Sequence, residues 1–498
     1  MIDKLPIFLS IFPFLVFIYL LLIKKTTLLK SSLVTALLYT ILVVLYWKII
    51  PNYLYISYGK GFFIALDIFI IIFGAIFFLE ILKDLKIIKN ISFYLKNFSS
   101  DYRIQIIIIA WFFEAFLEGT AGFGVPVAIA VPLLMGIGLT PMKSLIIGLL
   151  GNSTPGVFGA AGTPIRVGFS GLNVSSVPFY ASLFNLVGIL IPVFMLFMIT
   201  IGRPNRNKEF FEALPFAIWS GIAFTIPSLF IVSLGQEFPS ILGAVVGFIL
   251  VAITTRFGIF VPKNNISLIS DQKEEKTMSI FKSFLPYLFL IILLVLGKFL
   301  IGKIGIPINI GFRQFFNFYN PGFIFIITGF LIIFFYKSKK KIFKELSLVS
   351  LKGAIGPFLV ILFMSSMVQI IINSGQNLSG LPSALSLMSS LFETRLIPFF
   401  APFIGGFGAF ITGSVTLSNI MFGSLFNLTS LNMGFNPSII LSLGVAGGAA
   451  GNMIALADIL TAEAVIGEKN KEREVLRGVI IPCLTYLLIL GIIGILIF

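Results

Sequence analysis

The sequence predicts an all-α polytopic membrane protein with about twelve transmembrane helices and two re-entrant helical hairpins in an inverted repeat. Its composition is the first reason: of 498 residues, 58% are hydrophobic and only 11% are charged, whereas soluble domains carry about 25% charged residues. The second reason is a mean hydropathy of +1.08. The third is the length of the apolar runs, because ~20 helical residues rising ~1.5 Å each cross the ~30 Å bilayer core.

Twelve apolar runs have the length and composition of transmembrane spans. The first follows Met1 to Pro6 with no small-residue cleavage site and is long for a signal sequence, so we interpret it as a span. The longest polar stretch, residues 263–279, is expected to be a flexible cytoplasmic linker. The predicted spans are 5–23, 32–50, 61–82, 141–162, 176–202, 212–233, 239–255, 283–304, 321–336, 353–372, 437–459 and 478–498.

Two further apolar stretches do not fit a single span. Residues 104–139 would form a helix of ~54 Å, which is too long to cross the bilayer once, and residues 396–426 have the same character. Glycine and proline break helices, so we expect two half-helices that meet at an irregular tip in each stretch. The expected interruptions are Gly119, Gly122, Gly124 and Pro126 in the first stretch and Gly405, Gly406, Gly408 and Gly413 in the second.

The charges of the loops favour this topology. The chain has a formal charge of +15, and its basic residues lie in short loops between apolar runs, as the positive-inside rule describes for cytoplasmic loops. If each interrupted stretch enters and leaves on one side, the basic loops lie inside the cell and both termini lie outside. Counting each stretch as one span would move three basic loops outside, namely 203–208, 256–282 and 337–352.

The topology also predicts an internal symmetry. Residues 1–205 contain three spans, a hairpin that enters from the cytoplasm, and two spans. Residues 283–498 contain the same series with a hairpin that enters from outside, and residues 206–282 connect the two units through a pair of spans and the linker. Inverted repeats with broken helices are typical of secondary transporters, in which the substrate site lies near the bilayer midplane.

The residue inventory excludes several classes of function. The chain has no histidine and a single cysteine, Cys483, so it offers no disulfide framework, zinc cluster or Cys/His nucleophile pair. We expect no metal and no cofactor and, because the basic residues are dispersed in loops, no nucleic-acid partner. An intramembrane enzyme would have to rely on paired carboxylates such as Glu114 and Glu118, and it is the least favoured class.

The tip of the first hairpin has the features of a binding site for a small anion. Gly119, Gly122 and Gly124 allow the backbone to approach a ligand and leave amide N–H groups available. The half-helix that begins around Pro126 directs its positive end to the same tip. Helix packing through small residues is the alternative, but two interrupted stretches in inverted positions favour a site.

Three carboxylates in apolar segments are candidates for proton coupling: Glu118, Glu114 and Asp458. Glu114 and Glu118 are four residues apart and therefore share one helix face. A charge at mid-bilayer costs ~3 kcal/mol on insertion scales, which favours proton carriage, and hydrogen-bonded structural roles are the alternative. Glu463 and Asp67 are interpreted as interfacial residues.

Small polar residues in the broken spans and in the second hairpin are the remaining candidates for substrate contacts. Pro155 removes an amide in mid-membrane, and unwound backbone at that depth is tolerated only where it is buried in protein or lines a cavity. Helix–helix hydrogen bonding is the alternative. The candidates are Asn152, Ser153, Thr154, Gly413, Ser414, Thr416, Ser418, Asn419 and Asn452.

The distribution of basic residues limits the chemical class of the expected substrate. No lysine or arginine lies deep in either hairpin or in the span that follows it, whereas a dicarboxylate or phosphate usually pairs with a buried cation. Amides, hydroxyls and helix N-termini suffice for a singly charged anion. The sequence therefore favours a small monoanion.

Four segments resemble signatures of the L-lactate permease family. The segment from Phe116 to Ile129 is closely similar to the hallmark of that family, and the segment 152–165 continues the similarity. Residues 413–419 and 451–454 resemble its signatures in the second half of the chain. The resemblance therefore runs through both halves in order.

The resemblance implies a multi-pass symporter in the cytoplasmic membrane of a prokaryote that takes up L-lactate, D-lactate and glycolate together with protons. It implies substrate or proton handling by Glu118, the matched glycines, Asn152 and the Ser/Thr set, in a transport unit that moves against a scaffold by alternating access. The expected partners are a small monocarboxylate anion, a proton and the lipid bilayer, and a homodimer is left open. Glu114, Asp458 and Glu463 depart from the family pattern and keep a sodium-coupled organic anion or cation transporter as the alternative.

Overall fold

The computed structural model describes residues 4–122, 124–268, 278–336, 340–467 and 471–498. Most of the predicted linker 263–279 and part of the basic loop 337–352 therefore lie outside the described residues. The described chain is built from α-helices with short π- and 3-10-helical segments, and its strands form one antiparallel hairpin, Gly305–Asn309 (β1) with Arg313–Asn317 (β2), in which Gly305 pairs with Asn317.

The described residues of the first half of the chain form thirteen α-helices. Three π-helical segments, Tyr19–Ile23, Val43–Trp47 and Ile108–Phe113, and three 3-10 segments, Thr154–Phe158, Asn185–Leu190 and Val232–Leu234, extend or join them. The helices are α1 (Lys4–Ile18), α2 (Leu28–Leu42), α3 (Pro51–Asp84), α4 (Ile87–Lys96), α5 (Tyr102–Ile107), α6 (Glu114–Thr120), α7 (Val125–Met135), α8 (Pro141–Gly151), α9 (Gly159–Arg166), α10 (Val177–Phe184), α11 (Ile191–Thr200), α12 (Arg206–Ile231) and α13 (Pro239–Arg256).

In the second half, the part of the chain that the structure describes forms nine further α-helices, which flank the β-hairpin. They are α14 (Ile280–Ile301), α15 (Pro321–Phe335), α16 (Lys340–Asn373), α17 (Ala384–Ser390), α18 (Ile397–Thr412), α19 (Val415–Asn432), α20 (Pro437–Asn452), α21 (Leu456–Ile466) and α22 (Glu472–Ile497).

The helices confirm the predicted all-α polytopic membrane fold. Among the described residues, ten helices are long and apolar enough to cross a membrane, and an eleventh span results if Pro141–Gly151 and Thr154–Arg166, which meet at a 42° bend, are taken together. Pro321–Phe335, at 15 residues, is a shorter apolar helix. Each of the twelve predicted spans coincides with one of these elements.

Local sequence signals explain where several spans begin. Thr140, Asn320 and Asn436 each precede a helix whose first residue is proline, and each side chain accepts a hydrogen bond from a backbone N–H of the first turn. Proline at the first helical position loses no intrahelical hydrogen bond, and a capping side chain satisfies an orphan N–H group. These signals fix the starts of α8, α15 and α20.

Both interrupted stretches consist of two helical parts. In the first, helix covers residues 102–120 and resumes with α7, and the intervening Gly122 and Gly124 have φ values of 59° and 77°. In the second, Gly413, with φ of 67°, separates α18 from α19. These φ values lie in the left-handed region, which glycine adopts without steric cost. Each break therefore lies where the backbone conformation favours glycine.

Four expected interruptions prove to be parts of continuous helices. Gly119 lies within α6, and Gly405, Gly406 and Gly408 lie within α18. The small size of Gly119, Gly405 and Gly406 serves packing. A methyl group on Gly405, for example, would overlap the main-chain oxygen of Gly444 in α20. At these three positions the alternative that the sequence left open, close helix–helix contact, is the one observed.

The chain divides into two compact units, each assembled from segments that are distant in sequence. The first unit comprises Met1–Ile88, Phe281–Arg395 and Ile420–Phe435, and the second comprises Lys89–Ile280, Leu396–Asn419 and Asn436–Phe498. Both units thus draw on the first and the last third of the chain.

The first unit is centred on two 34-residue helices, α3 and α16. Ser365 of α16 donates a hydrogen bond to the main-chain oxygen of Gly61 in α3 at 2.9 Å. Asn320, just before α15, donates from Nδ2 to Oδ1 of Asp67 in α3 at 2.7 Å. Asp67 therefore anchors the start of α15.

The second unit contains a fully buried arginine at the start of the first interrupted stretch. Arg103 donates from Nη2 to Oδ2 of Asp101 at 2.7 Å and to the main-chain oxygen of Asn264 at 2.8 Å, and from Nη1 to the main-chain oxygen of Glu209 at 2.9 Å. In the structure it ties α5 to α12 and to the segment after α13.

We expect Arg103→Ala to destabilise the protein strongly. The substitution would leave the buried carboxylate of Asp101 without its ion-pair partner, and breaking a buried pair costs about 3–5 kcal/mol. The measurement is the midpoint of thermal unfolding of the purified protein in detergent. Lys83→Ala is the control, because Lys83 pairs with Glu80 on the surface; equal midpoints for the two variants would contradict the assignment.

Candidate functional site

A cavity lies where four interrupted elements of the second unit meet. About 320 Å³ of empty space lies within it, including the open space at its mouth. Its walls come from the α6–α7 break, the 3-10 segment with α9, the α18–α19 break and the α20–α21 connection. The lining residues are Glu118, Gly122, Gly124, Gly156, Gly159, Ala160, Pro164, Gly413, Ser414, Val415, Thr416, Asn452 and Asp458.

Three helices begin at the cavity wall. Gly124 directly precedes α7, Val415 is the first residue of α19, and Asp458 lies in the first turn of α21. The first N–H groups of a helix have no intrahelical partner and carry partial positive charge. Among the described residues no side chain caps α7 or α21, so this wall is suited to an anion.

Three carboxylates lie at the cavity and next to it. Glu118 and Asp458 line the cavity with 6% and 3% of their surface exposed, and Glu114, four residues before Glu118, is fully buried. Within the described part of the chain, Oε2 of Glu118 and both carboxylate oxygens of Glu114 have no hydrogen-bond partner. A buried charge without a partner is costly, so a proton or another cation is the natural counterpart of these groups.

Each glutamate fits against a glycine of a neighbouring segment. A methyl group on Gly159 would overlap Oε1 of Glu118, and one on Gly151 would overlap Oε2 of Glu114. Any larger residue at these two positions would displace a carboxylate. The glycines of the broken span therefore create the space that the two glutamates occupy.

The carboxylate of Asp458 is held by an amide network. Its Oδ2 accepts a hydrogen bond from Nδ2 of Asn152 at 3.1 Å, and Asn452 donates from Nδ2 to the main-chain oxygen of Asn152 at 3.3 Å. On the other side, a methyl group on Gly124 would lie 2.9 Å from Oδ1 of Asp458. Asn152 and Asn452, one from each half of the chain, thus meet beside this carboxylate.

Several predicted contact residues instead support the backbone around the cavity. Ser418 donates to the main-chain oxygen of Gly405 at 2.7 Å, and Asn419 donates to that of Pro164 at 2.9 Å. The hydroxyl of Ser153 donates within its own segment. These bonds secure the folded-back start of α19 and the end of the broken span.

The predicted site residues therefore fall into two groups. Those in the cavity wall are Gly122, Gly124, Gly413, Ser414, Thr416, Asn452, Glu118 and Asp458. Those outside the wall are Gly119, Glu114, Asn152, Ser153, Thr154, Ser418 and Asn419.

Some lining residues were not among the predicted candidates. Four of them lie in the segment 152–165, whose broken helix was predicted to contact a ligand, so a signal for them existed. Val415 gave no signal, because an apolar residue in an apolar segment is ordinary. The added residues are Gly156, Gly159, Ala160, Pro164 and Val415.

A left-handed turn shapes one side of the cavity. Ala160, Ala161 and Gly162 have φ values of 42°, 53° and 76°, and the hydroxyl of Thr163 donates to the main-chain oxygen of Ala160. Each alanine in this conformation costs roughly 1–2 kcal/mol. Strain of this kind is concentrated at functional sites, where the surrounding structure holds it.

The charged side chains of the cavity wall are acidic only. Among its described lining residues there is no lysine or arginine, and the described residues contain no group of three or more Asp, Glu or Cys side chains placed to hold a metal ion. The arrangement can therefore bind an anion through N–H groups, hydroxyls and amides, and it can bind protons through its carboxylates.

Comparison with known proteins identifies the family of the chain. A family model described as L-lactate permease matches residues 7–307 and 302–498. A protein of Haemophilus influenzae is 28% identical over 84% of both chains. The L-lactate permease of Bacillus subtilis is 26% identical over 80% of this chain and 78% of its own length, and the glycolate permease of Escherichia coli is 27% identical over 80% and 79%. The chain belongs to the L-lactate permease family.

Proposed function

We propose that this protein takes up L-lactate and the related 2-hydroxymonocarboxylates D-lactate and glycolate across the plasma membrane together with protons. The observation that carries the proposal is a cavity in which helix N-termini face carboxylates with no basic side chain among the described lining residues. The names of similar proteins, an L-lactate permease and a glycolate permease, support a substrate of this class.

The substrate carboxylate is bound by backbone N–H groups at the start of α21, and the positive end of α7 faces the same cavity. Ser414, Thr416 and Asn452 line the same cavity and offer donors and acceptors to the 2-hydroxyl group. A second carboxylate on the substrate would meet acidic residues instead of a cation. We therefore expect the site to prefer monocarboxylates.

Proton coupling follows from the charges of the cavity. A substrate anion is repelled by Glu118 and Asp458 if both are ionised, and a proton on either residue removes a like charge. Proton binding and anion binding therefore strengthen each other, and this coupling is reciprocal. Glu118 is the leading proton site because its Oε2 has no hydrogen-bond partner in the described chain, whereas Asp458 accepts from Asn152. Glu114 is a further proton acceptor beside it.

We also propose that residues 1–205 and 283–498 form inverted repeats joined by 206–282, with 104–139 and 396–426 as re-entrant hairpins and both termini outside. The cavity supports this proposal, because both halves supply its wall through equivalent breaks. In alternating access, the protein would then change between two conformations, and the one site would open to each side of the membrane in turn.

Uptake by reconstituted protein tests the proposed function. In proteoliposomes with an inward proton gradient and sodium-free buffer, labelled L-lactate should accumulate, because protons entering down their gradient drive the anion inward. A protonophore should abolish the accumulation, and liposomes without protein are the control. Accumulation that requires sodium and ignores the proton gradient would contradict proton coupling and support the sodium-coupled alternative.

Cysteine labelling tests the topology. Cys483 is buried, and a Cys483→Ala background would remove the natural cysteine of the chain. In that background, Lys208→Cys should react with a membrane-impermeant maleimide only after permeabilisation, because a re-entrant hairpin at 104–139 places residue 208 inside the cell. Arg395→Cys should react on intact cells. The opposite pattern would show that residues 104–139 cross the membrane once.

A further inference from the structure

Glu114 is a carboxylate that the substrate does not reach. Its side chain is fully buried, and it does not belong to the cavity wall, which Glu118 helps to form one helical turn later. It fits against Gly151 of α8, where a methyl group would overlap Oε2 of Glu114. A group bound to Glu114 is therefore held separately from the substrate in the cavity.

No donor in the described chain compensates this carboxylate. Both oxygens of Glu114 lack a hydrogen-bond partner among the described residues. An ionised carboxylate is costly to bury without a hydrogen bond or an opposite charge. Glu114 therefore needs a cation, and a proton meets this need without ligands from other residues.

The charged groups that act on Glu114 do not supply this compensation. Among the described residues they are Glu118 and Asp458, and both are acidic. The elements packed against α6 include α8, α9 and α13, and the basic residues of these three helices lie in their terminal turns. These residues are Lys143, Arg166 and Arg256.

Glu118 connects Glu114 to the cavity. The two side chains are four residues apart in α6 and share one helix face, and Oε2 of Glu118 has no hydrogen-bond partner in the described chain. A proton can therefore pass between them: the O–H bond of the Glu118 carboxyl group breaks, and an O–H bond forms on the Glu114 carboxylate. Glu118 is then able to bind another proton from the cavity.

We propose that Glu114 binds a second proton in each transport cycle, in addition to the proton on Glu118, so that two protons accompany one monocarboxylate anion. Each cycle then moves one net positive charge inward, whereas one proton per anion would move no net charge. This inference rests on the proposed function and adds a dependence on the membrane potential to it.

The test is the accumulation of labelled L-lactate driven by the membrane potential alone. Proteoliposomes have the same pH on both sides and contain no sodium, and valinomycin with a roughly tenfold outward K⁺ gradient makes the interior negative. Because one net charge moves with each anion, the steady-state ratio of internal to external L-lactate should rise about tenfold. Proteoliposomes without valinomycin are the control.

Glu114→Gln removes the second proton site with little change in side-chain shape. The potential alone should no longer drive accumulation in this variant. With an inward pH gradient of about one unit and the potential held at zero, accumulation should persist but fall about tenfold, because one proton contributes instead of two. Glu474→Gln, the same chemical change at an exposed position of α22, is the matched control and should behave as the wild-type protein.

The outcomes distinguish this inference from the function on which it rests. Wild-type protein that accumulates L-lactate with the pH gradient but not with the potential would overturn the second proton and leave the proposed function intact. Potential-driven accumulation that persists in Glu114→Gln would overturn the assignment to Glu114. Glu114→Met, which fills the buried space with an apolar side chain, replaces this variant if Glu114→Gln does not fold. Wild-type protein that accumulates L-lactate under neither force would overturn the proposed function and this inference with it.

Discussion

The interruption of helices within the apolar part of the chain is the constraint on which the rest of the site depends. Hydrocarbon offers no hydrogen-bond partners, so unwound backbone persists there only where it is buried in protein or lines a cavity. In the second unit the interruptions meet around a single cavity. The N–H groups freed at the helix starts then supply positive potential, and a basic side chain is not needed to attract an anion.

The carboxylates place negative charge beside this positive potential. Glu118 and Asp458 face the cavity, and Glu114 is fully buried beside Gly151. Together they place groups that can each hold a proton around the proposed anion site. The net charge of the loaded site is then governed by how many protons accompany the substrate, which is the physical basis of the coupling we propose.

Glycines make the arrangement possible in three different ways. Gly122 and Gly413 provide the left-handed backbone of the breaks. The absence of a side chain at Gly159 leaves space for the carboxylate of Glu118. Gly405 allows α18 to approach α20. The same residue type thus serves turns, burial of a carboxylate and helix contact.

The sequence predicted the features that depend on local pattern. Hydropathy located the spans, because crossing a bilayer requires a minimum length of apolar helix. The positions of Glu118 and Asp458 were indicated because a carboxylate in an apolar segment is rarely placed without a role. The turn at Gly413 followed from the clustering of small and polar residues around it.

Features that depend on tertiary contacts could not be predicted from the sequence. Gly405 and Gly406 look like helix breakers in isolation, but both lie within α18 and allow its close approach to α20. Ser418 and Asn419 point to backbone oxygens because α19 folds back at its start. The left-handed turn that begins at Ala160 contradicts the preference of alanine and exists only because surrounding structure holds it.

Proton uptake on substrate binding tests the central claim most directly. L-Lactate is titrated into the purified protein by calorimetry in two sodium-free buffers with different ionisation enthalpies, which reports the number of protons bound with the anion. The account predicts proton uptake in the wild-type protein and in the surface variant Glu474→Gln, and a smaller uptake in Glu118→Gln. Tight L-lactate binding without proton uptake in the wild-type protein would contradict the account.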